Sequence, residues 1–109
     1  IMAIINGTPA VNTLTGTKDA DTLNGLGGND ILIGGAGADV LDGGSDTDTA
    51  SYTNALVGVF ASLANPGANT GDAAGDTYVS IENLAGSKFN DALEGDGAAN
   101  KLIGNAGND

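Results

Sequence analysis

Along the chain the large apolar side chains are few and evenly spaced. Leu14, Leu23, Leu32, Leu41 and Ala50 follow one another at intervals of nine, and the spacing returns at Leu93 and Leu102. A second column runs two residues ahead of the first, polar and mostly acidic: Asn12, Asp21, Asp30, Asp39 and Asp48, then Asp91, Asn100 and Asp109. A glycine opens each unit, at Gly7, Gly16, Gly25, Gly34 and Gly43 and again at Gly86, Gly95 and Gly104. Three columns held in phase define a nonapeptide repeat of eight copies, the last truncated. The copy Gly34-Gly-Ala-Gly-Ala-Asp-Val-Leu-Asp42 reads G-G-x-G-x-D-x-U-x at every specified position.

Nine residues are too few for a helical hairpin, and each glycine in a continuous helix would cost about 1 kcal/mol relative to alanine. A turn plus a short strand remains. The triplets 22–24, 31–33 and 40–42 can each form a strand whose middle leucine points inward, while the glycines reverse the chain. Two repeats complete one coil, and opposed leucines meet in a thin core. The predicted fold is all-β: a right-handed parallel β-roll, a β-helix-like solenoid of short strands.

The repeat divides a single module, 1–109, into a first block at 7–51, an insert at 52–85 and a second block at 86–109. In the insert, alternation at Val57, Val59, Ala61 and Leu63 predicts one strand, and Val79 with Ile81 marks a second. The stretch from Asn65 to Asp72, which contains Pro66-Gly67, predicts the turn between them. All four aromatics, Tyr52, Phe60, Tyr78 and Phe89, fall in or just beyond this segment. The expected role is packing between the blocks.

Charge changes the picture from fold to ligand. Fourteen acidic residues against three basic ones give a net charge of −11. Such a chain repels nucleic acid and anionic membrane and favours cations as partners. It has no cysteine and no histidine, which excludes disulfides and thiolate sites and argues against zinc. In the coil geometry each residue lies above the one eighteen positions earlier, so Asp21 meets Asp39 and Asp30 meets Asp48. At a strand spacing of about 4.8 Å, two carboxylates repel by roughly 1 kcal/mol in water and roughly 3 at an effective dielectric of 20. A cation midway between rungs would lie about 2.4 Å from each, inside the calcium–oxygen range of about 2.3–2.6 Å. Turn carbonyls can complete its shell, and magnesium, with its shorter and stricter octahedron, fits less well.

The repeats resemble the RTX, or hemolysin-type calcium-binding, family over nearly the whole chain, and Ile81-Glu-Asn-Leu84 is similar to the stretch that leads back into repeats in its larger members. The resemblance implies calcium ligands at Asp21, Asp30, Asp39, Asp48, Asp91 and Asp109, with carbonyls from Gly25, Gly27, Gly28, Gly34, Gly35, Gly37, Gly43 and Gly44. It implies several Ca2+ ions and export by type I secretion to the medium or cell surface; no apolar run approaches membrane-spanning length, so no membrane insertion by this segment is expected. The firmest sites are expected between Asp21 and Asp39 and between Asp30 and Asp48, with Asp91 and Asp109 as a further pair. Asn12 and Asn100 should mark weak or empty positions.

A lone aspartate in a glycine-rich turn is ordinarily turn chemistry; the column is what points to a metal. Asp42, Glu82, Glu94 and Asp96 lie off the column and read as a solvated face, whereas Asp72 and Asp76 read either way. Catalysis is not expected, because no histidine or cysteine can act as base or nucleophile. An adhesive or ice-binding solenoid with outward Thr13, Thr22 and Thr49 is the alternative, although that column breaks at Ile31 and Val40. Ile1–Ile5 is too short for a signal peptide and lacks its basic flank. A chain that opens inside an apolar stretch and stops part-way through a repeat is expected to belong to a larger parent protein.

Overall fold

A computed structural model describes residues 3–97 and 100–104. Within them lie eleven strands, each of three residues: β1 (Ile4–Asn6), β2 (Thr13–Thr15), β3 (Thr22–Asn24), β4 (Ile31–Ile33), β5 (Val40–Asp42), β6 (Thr49–Ser51), β7 (Phe60–Ser62), β8 (Thr77–Val79), β9 (Asn83–Ala85), β10 (Ala92–Glu94) and β11 (Lys101–Ile103). Consecutive repeats fall on opposite walls. One sheet runs β1-β3-β5-β8 and the other β11-β9-β6-β4-β2, with β10 and β7 as a separate pair. All of these pairings are parallel.

The register is the one the period predicts. Leu23 lies opposite Leu41, and Leu14 opposite Leu32, a step of eighteen residues in each case. The inward position of each triplet forms the core: Leu23, Leu32, Leu41, Ala50 and Leu84 are fully buried. Ile31 and Val40, which precede Leu32 and Leu41, point outward and are 42% and 39% exposed. Together these are the parallel β-roll the periodicity called for.

The 52–85 segment differs from the expected strand, turn and strand. It holds three strands, and two of them extend the walls of the roll. In β8, Tyr78 lies opposite Leu41, and in β9, Leu84 lies opposite Ala50. The first expected strand shrinks to Phe60–Ser62. The chain at Gly58 passes so close to the backbone of Asn90 that no side chain would fit there, and Val57, ahead of it, is 59% exposed. The second is cut at Val79, because Ser80 adopts a left-handed conformation with φ of 54°. Ile81 is thereby turned into the core from outside any strand. The Pro66-Gly67 stretch forms two 3-10 turns, Pro66–Ala68 and Gly71–Ala73.

One leucine expected in the core is not enclosed. Leu102 is 44% exposed, since β11 is the outer strand of its sheet and no described strand lies beyond it.

Candidate metal-binding edges

The position-six side chains line the two edges where the turns join the walls. Asp21, Asp30, Asp39 and Asp48 are all at least 98% buried, although each carries an ionisable carboxyl. One oxygen of each has a constant use: it accepts the backbone N–H of the equivalent residue in the coil before. Asp21 Oδ1 takes the amide of Ala3 (3.1 Å), Asp30 Oδ1 that of Asn12 (2.8 Å), Asp39 Oδ1 that of Asp21 (2.9 Å) and Asp48 Oδ1 that of Asp30 (2.8 Å). This ladder joins rung to rung through charge-assisted bonds.

The ladder continues into the 52–85 segment. Asp76 Oδ1 accepts the Asp39 amide and Glu82 Oε1 the Asp48 amide, each at 2.8 Å. Asp76 and Glu82 are therefore members of the two columns, which sequence reasoning left undecided or placed on a solvated face. The signal was present: Asp76-Thr-Tyr-Val79 and Glu82-Asn-Leu-Ala85 each set an acid two residues ahead of an inward side chain. Asp91 belongs to the separate β7 and β10 pair, where its Oδ1 accepts the Val59 amide at 2.9 Å. Asp109, its expected partner, lies outside the described residues. Asp42 sits at a strand end and accepts the Gly44 N–H at 3.0 Å.

The second carboxylate oxygen decides the chemistry. Asp30 Oδ2, Asp39 Oδ2 and Asp48 Oδ2 are fully enclosed and have no hydrogen-bond partner. An enclosed anionic oxygen without a partner is costly, and here three recur at one position of one repeat. Each faces the opening glycine of its own turn. A Cβ placed on Gly25 would lie 2.6 Å from Asp30 Oδ2 and 2.7 Å from the Gly43 carbonyl oxygen of the next coil. A Cβ on Gly43 would meet the Ser80 carbonyl oxygen at 2.5 Å as well as Asp48 Oδ2. At Asp30 and Asp48 a carboxylate oxygen and a carbonyl oxygen from successive coils thus converge on one small space.

Among the described residues no three acidic side chains gather at one point. An ion at these edges would draw most of its ligands from backbone carbonyls, the oxygen-rich shell that calcium takes. The donor set fits that ion: hard oxygens only, with nitrogen and sulfur ligands absent. Gly28 and Gly37, with φ of 82° and 90°, pack against the backbone of Ala10 and Asp19 in the coil before. Only glycine combines that conformation with that approach.

Titration follows from the same geometry. Burial pushes the Asp39 carboxyl up to about 8, against the opposing bond from the Asp21 amide, and the neighbouring charges of Asp76 and Asp21 add to the rise. Burial likewise pushes Asp48 up to about 6. Asp21 is also buried, yet bonds from Thr17 and the Ala3 amide outweigh the burial and hold it below its usual value. A carboxyl raised above its unfolded pKa of about 3.9 stabilises the fold when protonated. That contribution is full below about pH 4 and is lost as pH rises through 6 and 8. In calcium-free buffer, circular dichroism should therefore show β structure declining from pH 4 to pH 8. A rise over that range would contradict the buried-carboxylate geometry.

Beyond Asp39 the edge is closed by phenols. Tyr52 Oη donates to Asp76 Oδ2 at 2.8 Å and pairs with Tyr78 Oη at 2.6 Å, which also accepts from Asn69 Nδ2 at 2.9 Å. Burial raises both phenols, Tyr78 to about 12, and Asp76 to about 7. The aromatic residues of the 52–85 segment therefore do more than fill space. Phe89, by contrast, is 37% exposed.

Geometry defines the class first: a parallel solenoid whose turns present buried, incompletely bonded carboxylates and carbonyls to a hard cation. The chain matches the RTX calcium-binding nonapeptide repeat family over residues 6–41, 15–50 and 80–109, and it belongs to that family. It is accordingly a calcium-binding β-roll module. No curated protein matches the chain as a relative.

Proposed function

We propose that this module is a calcium-dependent folding unit: it gains its β-roll when calcium reaches the turns and contributes no catalysis of its own. The observation that carries this reading is the set of three buried, unpartnered oxygens at Asp30, Asp39 and Asp48. Without a cation they oppose folding, as does the backbone entropy of nineteen glycines. With one, they become ligands, and the free energy of binding becomes free energy of folding. Asp39 and Asp48 supply charge from opposite edges, and the carbonyls of Gly43 and Ser80 supply neutral oxygens.

Such a unit suits a larger protein that is exported by type I secretion, unfolded where calcium is scarce and folded outside the cell. The carboxylates form a regular ladder rather than a pair in a cleft, which supports a binding role over an enzymatic one. The adhesive alternative is weakened by topology: Thr13 and Thr49 lie on one wall with Ile31 between them, and Thr22 on the other.

Circular dichroism during a calcium titration of the isolated chain tests the proposal. The expected result is a largely disordered spectrum in chelator that converts to β structure with calcium and not with equimolar magnesium. A spectrum indifferent to calcium would refute it.

A further inference from the structure

The turns are of two kinds, although the repeat treats them as one. In the turns opened by Gly25, Gly34 and Gly43, the second and fourth residues are all left-handed: Leu26 and Gly28, Gly35 and Gly37, Gly44 and Asp46, with φ between 68° and 90°. These are the turns of Asp30, Asp39 and Asp48, whose Oδ2 atoms have no partner.

In the turns opened by Gly7, Gly16 and Gly86 the second residue is Thr8, Thr17 or Ser87, and neither it nor the fourth residue has positive φ. The chain instead turns its own donors onto the position-six side chain. Thr17 gives Asp21 Oδ2 its amide at 2.7 Å and its hydroxyl at 3.0 Å. Ser87 gives Asp91 Oδ2 its amide at 2.8 Å and Asp91 Oδ1 its hydroxyl at 2.7 Å. Thr8 does the same to Asn12, at 2.7 and 3.1 Å. Each hydroxyl oxygen then accepts the amide two residues on, from Ala10, Asp19 or Phe89. The third residue of two such turns is Lys18 or Lys88, two of the three basic residues in the chain. At Asp76 the closing donor is the Tyr52 phenol.

We infer that the hydroxyl turns are built to do without an ion, and that among the described turns calcium is confined to three positions, at Asp30, Asp39 and Asp48. This rests on the calcium-binding reading proposed above. It removes Asp21 and Asp91 from the ligands expected from sequence, because Thr17 and Ser87 already satisfy the carboxylate oxygens a metal would take. A nearby lysine further disfavours a cation at those turns. The rule is local: glycine or another left-handed residue in second place opens a turn to calcium, and a hydroxyl there closes it.

Equilibrium dialysis of the full chain against saturating calcium gives the count directly. The described turns should account for three ions: Asp30→Asn/Asp39→Asn/Asp48→Asn should lower the count by three and Asp48→Asn alone by one, whereas Asp21→Asn/Asp91→Asn should leave it unchanged. Asn12 shows that an amide can sit in a hydroxyl turn. Conversely, Thr17→Gly/Lys18→Gly should raise the count by one. A wild-type count of one or two, which needs no variant to fold, overturns the inference, as does a loss of calcium in Asp21→Asn/Asp91→Asn with a wild-type spectrum. A count of zero would instead refute the underlying calcium-folding proposal.

Discussion

Replacing Asp30, Asp39 and Asp48 together by asparagine should abolish the calcium response, raising the calcium concentration needed for folding by about a hundredfold or more, since affinity in oxygen-ligand sites follows the number of charged ligands. The substitution keeps the shape and the Oδ1 acceptor that holds the preceding amide. It replaces the enclosed second oxygen by an NH2 group, which carries no charge and cannot ligate a cation. Its effect without calcium should have the opposite sign, because three carboxyl groups whose burial opposes the metal-free fold, whether by desolvation or by forced protonation, are gone. The triple variant should therefore show at least as much β structure in chelator as the parent, and little change when calcium is added. Asp42→Asn is the control: that carboxylate is only partly buried and serves the Gly44 amide. Matching losses in the two variants, measured by calcium titration under circular dichroism, would mean that the position-six column is not the metal edge.

Leu32→Ala should produce the second large effect, through packing alone. Leu32 is fully enclosed between Leu14 and Ala50 of the same wall, and truncating such a leucine costs about 2–5 kcal/mol. When folding and the binding of three ions form one event, that cost is shared among the ions. The calcium midpoint then rises roughly three- to twentyfold, since each 1.4 kcal/mol is a tenfold change in an equilibrium constant. The amplitude of the final spectrum should be retained. Its neighbour Ile31 is 42% exposed, and Ile31→Ala should move the midpoint by less than about twofold. Equal shifts at the two positions would mean that the strand register is off by one residue.

The parts of this fold visible in the sequence are those fixed by a constant interval. Leu23 over Leu41 and Asp30 over Asp48 follow from the period alone, because a solenoid converts sequence distance into vertical distance. The 52–85 segment was harder, because Asp76 and Glu82 stand six residues apart instead of nine. The left-handed Ser80 absorbs the missing length, and a tyrosine takes the inward place where leucine is expected. At the edges, the acidic column was legible but the state of each second oxygen was not. That state depends on whether the second residue of a turn carries a hydroxyl, as Thr17 does, or adopts positive φ, as Gly35 does. The family pattern counts the former as a mere loss of glycine.

The ladder of position-six oxygens has a direction. Each carboxylate reaches back to an amide of the coil that precedes it in the chain, never forward. The two ends of the solenoid are therefore unequal as growing ends. A coil joined on the C-terminal side brings an acceptor for an amide that is already waiting, whereas one joined on the N-terminal side brings an amide to an acceptor already in place. Shortening the roll from its C-terminal side strands a buried N–H at every cut, whereas shortening it from the other side frees a carboxylate oxygen that water can solvate. Wear should thus travel from the N-terminal side inward.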